Sequence, residues 1–260
     1  MGQPHEQEGP GNVSSALLYL RKDEIHESEK PYKLQYNPGG DLPHQNTAQE
    51  SRGPILIQDL RGQSRSFSFE NNGFSFLKME SKLDPGDFYN VKRVKDIYYA
   101  EIKALLLKYF GAKRVEILEH ITRKRHPEFP ISTGDDYDYA QPTSITGAES
   151  YSIWKPLRGP LADWPLALCD AESVNYEADL IAADVVSRTG YTENFQVYYN
   201  PKHQWYYLSG QKSTELAIFC QGDTNYVDRK CVPHCGFRNP LSDPNELPRE
   251  SIEARAFVFY

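Results

Sequence analysis

Residues 232–260 read VPHCGFRNPLSDPNELPRESIEARAFVFY. The alternating apolar residues at the end of this stretch predict a final β-strand. Alternation places Arg249 and Ser251 on one face of that strand, where a guanidinium and a hydroxyl can bind a carboxylate together. His234 lies fifteen positions before Arg249 and carries imidazole, the commonest metal ligand in proteins. The stretch therefore indicates strands that bring a metal ligand and an anion-binding pair to one cavity.

Both features also have a simpler structural interpretation. A single histidine in a loop is often an ordinary polar surface residue, and Arg249 can pair with one of the glutamates that lie near it in the sequence. The residues alone leave the two interpretations of Arg249 open.

The composition of the chain is that of a globular protein. Its 260 residues are 39% hydrophobic and 25% charged, and a 13% aromatic share with 18 tyrosines favours β-strands. The net charge of -7 argues against a nucleic-acid binder, because no basic field would attract phosphates. No apolar run reaches the ~18 residues of a membrane span, and the N-terminus lacks a secretory signal. We therefore expect a cytoplasmic protein with four free thiols and no membrane or nucleic-acid partner.

The order of sequence patterns predicts one β-rich domain. Residues 1–53 are polar and rich in Gly and Pro, which predicts a flexible N-terminal arm, whereas 54–260 form the domain. A helix is expected at about 91–110, because its apolar residues keep three- and four-residue spacing before Gly111. The Asn-Asn-Gly at 71–73 predicts a hairpin. Many short strands around one substantial helix favour a sandwich, jelly roll or barrel.

Several blocks of the chain resemble, in the same order, the fungal and bacterial hydroxylase/desaturase family that includes gibberellin desaturase and the cephalosporin methoxylation protein. The blocks are ILIQDLRG, NNGFSFLK, YYAEIKALLLKYFGAKRVEILEHITRKRHPEFP, YAQPT, WKPLRGPLADWPLALCDAESV, ENFQVYYNP, QWYYLSGQ and the stretch 232–260. Together they span about residues 54–260, which makes the resemblance more specific than any single short motif.

The resemblance implies a double-stranded β-helix core of the jelly-roll, cupin-like type with flanking helices. It also implies an iron(II)/2-oxoglutarate-dependent oxidoreductase that hydroxylates or desaturates a small secondary metabolite. By position, His234 matches the distal iron histidine, and Arg249 with Ser251 matches the 2-oxoglutarate anchor. Arg255 recurs in the family pattern and shares that strand face, so it is a second candidate for the oxoacid.

The family's first two iron ligands lie in a His-x-Asp motif, which is expected between the Gln-Pro-Thr block and Trp154. This chain reads QPTSITGAESYSIWKPL over 141–157, and no His-x-Asp occurs anywhere in its sequence. A single histidine holds catalytic iron poorly. We therefore expect that a segment beside the core is missing, which leaves the β-helix core either complete or incomplete. The chain is then an oxygenase, an inactive relative or a truncated isoform. Possible substitutes, each with a more ordinary surface or core interpretation, are His120, His126, Glu128, Asp135, Asp136 and Asp138.

A zinc site is the alternative that uses the thiols. Cys231, His234 and Cys235 fall within five residues, and Cys220 lies upstream. Structural zinc sites usually combine two such ligand pairs, and this sequence supplies one at most. The alternative function is then a zinc-stabilised binding protein.

Overall fold

The computed structural model describes residues 11–63, 67–125, 149–223 and 231–260, and most of its regular structure is β-strand. The strands, in chain order, are β1 (Val13–Leu20), β2 (Tyr32–Leu34), β3 (Gln49–Asp59), β4 (Phe74–Lys78), β5 (Arg114–Lys124), β6 (Glu149–Pro156), β7 (Leu166–Cys169), β8 (Leu180–Val186), β9 (Tyr191–Val197), β10 (Trp205–Tyr207), β11 (Glu215–Asp223), β12 (His234–Gly236) and β13 (Glu250–Phe259). Alternating or continuously apolar runs of the sequence account for strands such as β5, β7, β11 and β13.

Two five-stranded sheets build the body of the protein. The first has the order β1-β3-β10-β7-β12, and the second has the order β4-β11-β6-β13-β5. The sheets face each other, because the ring of Phe219 in the second contacts the ring of His234 in the first, with centroids 4.5 Å apart. A small third sheet, β2-β8-β9, completes the structure. This arrangement is a jelly roll, the predicted fold class.

Short helices flank the sheets. They are α1 (Phe69–Asn72), α2 (Val91–Arg93), α3 (Tyr99–Phe110) and α4 (Tyr176–Asp179), with a π-helical turn, Val94–Tyr98, between α2 and α3. Gly111 ends α3 with φ of 62°, a left-handed conformation that glycine adopts without strain. Ile102 and Leu106 of α3 are fully buried in one core cluster with Ile252 and Ala254 of β13. Helix α3 therefore covers the outer face of the second sheet and leaves the inner face of that sheet toward the first.

The N-terminal segment differs from the flexible arm that the sequence predicted. From residue 13 onward it contributes β1, which pairs antiparallel with β3, and the boundary expected at 53 falls inside β3. Leu17 and Tyr19 of β1 are buried in a second core cluster. The arm was predicted from polar composition, whereas its apolar side chains are held by strand pairing with residues 29 to 44 positions away.

The hairpin predicted around Asn-Asn-Gly is also replaced, in this case by a helix. Ser68 caps α1 by accepting a hydrogen bond from the Asn71 amide, and Gly73 ends the helix with φ of 75°. Asn72 donates a buried 3.0 Å hydrogen bond to Asp170. This long-range bond holds the segment as a helical turn.

Candidate functional site

His234 begins β12, opposite Leu168 of β7, and its side chain is exposed. Its Nδ1 lies 2.9 Å from the carbonyl oxygen of Val232. A carbonyl can only accept, so Nδ1 carries the hydrogen and Nε2 keeps a free lone pair. Metal-binding histidines commonly show this arrangement, in which one ring nitrogen donates to a carbonyl and the other faces the metal. This hydrogen bond leaves Nε2 of His234 without a partner among the described residues.

Arg249 directly precedes β13 and is anchored at both ends. Its backbone amide donates to Asp163 Oδ2 at 2.7 Å, and its Nη1 donates to the carbonyl oxygen of Trp164 at 2.7 Å. A Cβ placed on Gly236 would lie 2.8 Å from Arg249 Nη1, so the guanidinium lies directly against that glycine. Since alternation puts His234 and Gly236 on one face of β12, the structure brings Arg249 and His234 into a single site between the two sheets.

Arg249 is a partly buried cation without a carboxylate partner in the described part of the chain. Its Nε is buried and has no hydrogen-bond partner among the described residues. Burial, together with the nearby positive charge of Arg123, lowers the pKa of Arg249 to about 10. A buried charge is costly unless it is paired, so the site favours an anion.

Ser251 adds a second unsatisfied group on the same strand face. It is 1% exposed, and its hydroxyl oxygen has no partner within the residues that the structure describes. Ser251 lies opposite Pro156 of β6 and Arg123 of β5 in the sheet register. Buried polar groups are nearly always hydrogen-bonded in folded proteins, so two such groups on one face indicate a site for an oxygen-rich ligand.

Arg255 and its neighbours extend this polar face along β13. The Arg255 guanidinium forms a 3.3 Å ion pair with Glu119 on β5. Ser152 donates to Glu253 at 2.9 Å and accepts from Gln221 at 2.9 Å. Because Arg255 already has a carboxylate partner, Arg249 is the better of the two arginines for binding a ligand anion.

Sequence reasoning missed the residues that hold Arg249 in place. Asp163 is buried and accepts both the Arg249 amide and, at 2.7 Å, Nε of Arg125. Trp164 has a positive φ of 45°, which is rare for a bulky residue and directs its carbonyl to the guanidinium. One sequence feature could have indicated the role of Asp163. It is an acidic residue inside the otherwise apolar run LADWPL at 161–166.

The described residues do not assemble a metal site of three or more ligands. No group of three His, Cys, Asp or Glu among them is placed to hold an ion. Cys235 packs against the core cluster that contains Tyr19, on the face of β12 opposite His234, and burial raises its pKa to about 12. The zinc interpretation of Cys231, His234 and Cys235 is therefore wrong for this part of the chain, because strand alternation separates the ligands.

The remaining candidate ligands are placed as follows. His120, on β5, lies with its Nδ1 2.8 Å from the hydroxyl of Tyr99 on α3, which is the packed histidine that the sequence favoured. The other candidates lie outside the described residues, namely His126, Glu128, Asp135, Asp136 and Asp138.

Comparisons with known proteins agree with this architecture. Residues 17–148 and 146–259 match the family described as oxidoreductase/YMDC permease-like domain. The Fe(II)/2-oxoglutarate-dependent dioxygenase nvfI of Aspergillus novofumigatus is 26% identical, with 94% of this chain and 96% of the relative covered. The hydroxylase/desaturase efuI of Hormonema carpetanum is also 26% identical, with 80% and 83% covered. These relatives confirm the resemblance that the sequence blocks indicated.

The fold is matched by a solved structure. A single-residue variant of the iron and alpha-ketoglutarate-dependent endoperoxidase NvfI superposes with a TM-score of 0.80 at 24% identity, covering 96% of this chain and 97% of the other. The predicted double-stranded β-helix is therefore confirmed.

The helices of the structure are short, and α3, the longest of those described, has 12 residues. Within the described ranges, no helix combines the length and the apolar character that crossing a bilayer requires.

Proposed function

The chain belongs to the oxidoreductase/YMDC permease-like domain family, and on that basis we propose that it is an iron(II)/2-oxoglutarate-type oxidoreductase whose oxoacid pocket is built from Arg249 and Ser251. One observation carries the proposal. Arg249 is partly buried, its Nε is fully buried, and its guanidinium has no carboxylate partner in the described part of the chain. It lies next to a strand face that carries the unsatisfied Ser251 hydroxyl. The relatives named as 2-oxoglutarate-dependent dioxygenases indicate which anion fills this pocket.

In this proposal the far carboxylate of 2-oxoglutarate binds at Arg249. Nε and the second terminal nitrogen of the guanidinium donate to it, while Nη1 stays bound to the Trp164 carbonyl. The Ser251 hydroxyl donates a third hydrogen bond. A carboxylate there neutralises the partly buried cation, and charge-assisted bonds of this kind are stronger than neutral ones. The oxoacid end of the molecule then extends toward His234, whose Nε2 lone pair is free.

The described residues do not fit a complete iron centre. They offer His234 as one ligand, and they contain no second and third ligand placed beside it. The sequence also contains no His-x-Asp motif. In this class the iron supplies the oxidising chemistry, whereas the pocket residues bind and orient the oxoacid and the substrate.

The remaining parts of the proposal follow the relatives. Their names describe hydroxylases, desaturases and dioxygenases, so we assign a small secondary metabolite as the substrate, which is hydroxylated or desaturated. We place the protein in the cytoplasm, with no membrane or nucleic-acid partner.

Calorimetric titration of 2-oxoglutarate into the full chain tests the pocket. We expect R249A to weaken binding at least 100-fold and S251A about tenfold, which corresponds to about 1.4 kcal/mol. R238A, which changes an exposed arginine in the segment between His234 and Arg249, is the matched control and should bind normally. R255A tests the second candidate and should also bind nearly normally. Equal affinity of wild type and R249A would refute the assignment.

A second candidate function is oxoacid binding without turnover, and the absent His-x-Asp motif favours it. The two candidates differ in one measurement. Oxygen consumption that depends on both added iron(II) and 2-oxoglutarate supports the oxidoreductase. Normal 2-oxoglutarate binding with neither iron binding nor oxygen consumption supports the non-catalytic protein.

A further inference from the structure

Glu253 lies on the strand face that points toward the first sheet. It follows Ser251 by two residues on β13, so alternation places both side chains on this face. Ser152 of β6 donates a 2.9 Å hydrogen bond to Glu253 Oε1, and Ser152 is paired directly with Phe219 of β11. The ring of Phe219 contacts the ring of His234 in the opposite sheet. A series of neighbouring residues therefore joins Glu253 to His234 on one side and to the oxoacid pocket on the other.

The Glu253 carboxylate has one oxygen without a protein partner. Oε1 accepts from Ser152, whereas Oε2 has neither a hydrogen-bond donor nor an ion-pair partner within the described ranges. Gln221 donates a 2.9 Å hydrogen bond to Ser152, which leaves the serine hydrogen for Glu253 and fixes the carboxylate. Arg255, two positions further along β13, pairs with Glu119 instead. The oriented carboxylate is therefore available to a ligand.

Apolar side chains flank Glu253 across the sheet. Its direct neighbours are Trp154 on β6 and Ile121 on β5. Directly paired residues point to the same side of a sheet, so the indole ring and the isoleucine side chain border the carboxylate. Glu253 and Ile121 are only half-buried, so a small molecule can reach this part of the face. The surface thus combines one hydrogen-bond acceptor with an apolar border.

The charges on this face favour different ligand groups at Arg249 and at Glu253. The two residues interact, because burial lowers the pKa of Arg249 while the negative charge of Glu253 acts in the opposite direction. The Arg249 guanidinium lies 6.0 Å from the centre of the Trp154 ring, beside the residue that pairs with Glu253. A ligand carboxylate is attracted by Arg249 and repelled by Glu253, whereas an ammonium has the opposite preference. A hydroxyl can also donate to the Glu253 carboxylate.

We propose that Glu253 binds a hydrogen-bond donor of the substrate, an ammonium or a hydroxyl group, while the apolar part of the same molecule packs against Trp154 and Ile121. This inference deepens the proposed function and rests on it, because Arg249 and Ser251 are there assigned to the oxoacid. Glu253 is then a residue that determines substrate specificity. Charge-assisted hydrogen bonds are stronger than neutral ones, so an ammonium binds more tightly than a hydroxyl on the same molecule.

The test uses three probes with the same indole ring, namely tryptamine with an ammonium, tryptophol with a hydroxyl and indole-3-propionate with a carboxylate. Each is titrated calorimetrically into the full chain with saturating 2-oxoglutarate, which occupies Arg249. We expect tryptamine to bind most tightly and indole-3-propionate to bind at least tenfold more weakly.

E253Q keeps an acceptor for Ser152 but removes the charge, so it should weaken tryptamine binding at least tenfold. E116Q, at an exposed position of β5, makes the same change in charge and is the matched control, which should leave tryptamine binding unchanged. The larger effect of E253Q, on tryptamine or on tryptophol, identifies which donor the site takes. An effect on neither probe would overturn the proposal, and so would a preference of wild type for indole-3-propionate.

Titrations with 2-oxoglutarate alone distinguish this inference from the proposed function. E253Q should bind 2-oxoglutarate at least as tightly as wild type, because a negative charge near Arg249 has been removed. R249A should lose 2-oxoglutarate binding and keep tryptamine binding. If tryptamine binding depends on Glu253 in a chain that does not bind 2-oxoglutarate, the assignment of Glu253 stands and the oxoacid assignment falls. Equal losses of both ligands in E253Q would show a purely structural role and would overturn the assignment of Glu253.

Discussion

The guanidinium of Arg249 lies against Gly236, so that a Cβ at position 236 would lie 2.8 Å from Nη1, which is too close for the arginine to keep its place. The two residues belong to opposite sheets, since Gly236 lies in β12 and Arg249 leads into β13. The absence of a side chain at Gly236 is therefore what lets the arginine reach the cavity beside His234.

G236A should weaken 2-oxoglutarate binding about tenfold while the fold is retained. Gly236 has no positive φ, so alanine fits its backbone, and the atom that must move is the end of a flexible side chain. A displaced guanidinium no longer points its donors at the ligand carboxylate. The expected tenfold loss of affinity corresponds to about 1.4 kcal/mol of binding free energy. G222A, on β11, is the control because its Cβ would meet nothing within 4 Å. Calorimetry gives the affinity, and a thermal melt verifies that both variants fold.

D163N should reduce both stability and oxoacid affinity. The Asp163 carboxylate accepts from Arg125 and from the Arg249 amide, both at 2.7 Å, and it is largely buried. Breaking a buried ion pair from one side costs about 3 kcal/mol. K103A, which breaks the half-exposed pair with Glu116, should cost less than about 1 kcal/mol. Urea unfolding measures the difference, and unchanged stability in D163N would show that Asp163 does not hold the site.

The sequence predicted the parts of this fold that depend on local pattern. The helix before Gly111 and the strands β5, β11 and β13 show their periodicity within their own residues, and alternation alone placed Arg249 and Ser251 on one face. The segment 13–53 could not be predicted in the same way, because its order comes from pairing with β3. Asp163 was missed for the same reason, since it meets Arg249 across 86 positions of sequence.

K155M should stabilise the protein at pH 7. Lys155 is buried without an ion pair in the described part of the chain, and its ammonium lies over the rings of Phe88, at 4.7 Å, and Tyr98, at 5.5 Å. Burial lowers its pKa from 10.5 to about 8. The difference between these two pKa values sets an upper limit of about 3 kcal/mol on what the charged Lys155 side chain costs the folded protein. K108M, at an exposed position of α3, should leave stability nearly unchanged.

The lowered pKa of Lys155 also determines how its contribution to stability changes with pH. Between about pH 8 and 10.5 the unfolded chain keeps the proton that folded Lys155 has lost, so this group's contribution to stability rises with pH across that window. Below pH 8 both states are protonated and the full cost remains. The advantage of K155M over wild type should therefore shrink from pH 8 toward 10.5 in urea unfolding. An advantage that is constant with pH would contradict the assigned pKa.

S251A should make the ligand-free protein more stable and a weaker binder. The Ser251 hydroxyl is buried and has no partner in the described part of the chain, which costs on the order of 1 kcal/mol that alanine recovers. Ser152 is the matched control. It is equally buried, but its hydroxyl donates to Glu253 and accepts from Gln221, so S152A should be destabilising.

The changes in the free energy of unfolding should have opposite signs in the two serine variants. That result would distinguish a hydroxyl that serves ligand binding from a hydroxyl that stabilises the fold. Urea unfolding without ligand should place S251A above wild type and S152A below it. With saturating 2-oxoglutarate, wild type should become more stable than S251A. The ligand stabilises the folded protein that binds it more tightly, and wild type is the tighter binder. If S251A is less stable than wild type without ligand, the Ser251 hydroxyl of wild type already has a partner. An oxoacid at this position would then be refuted.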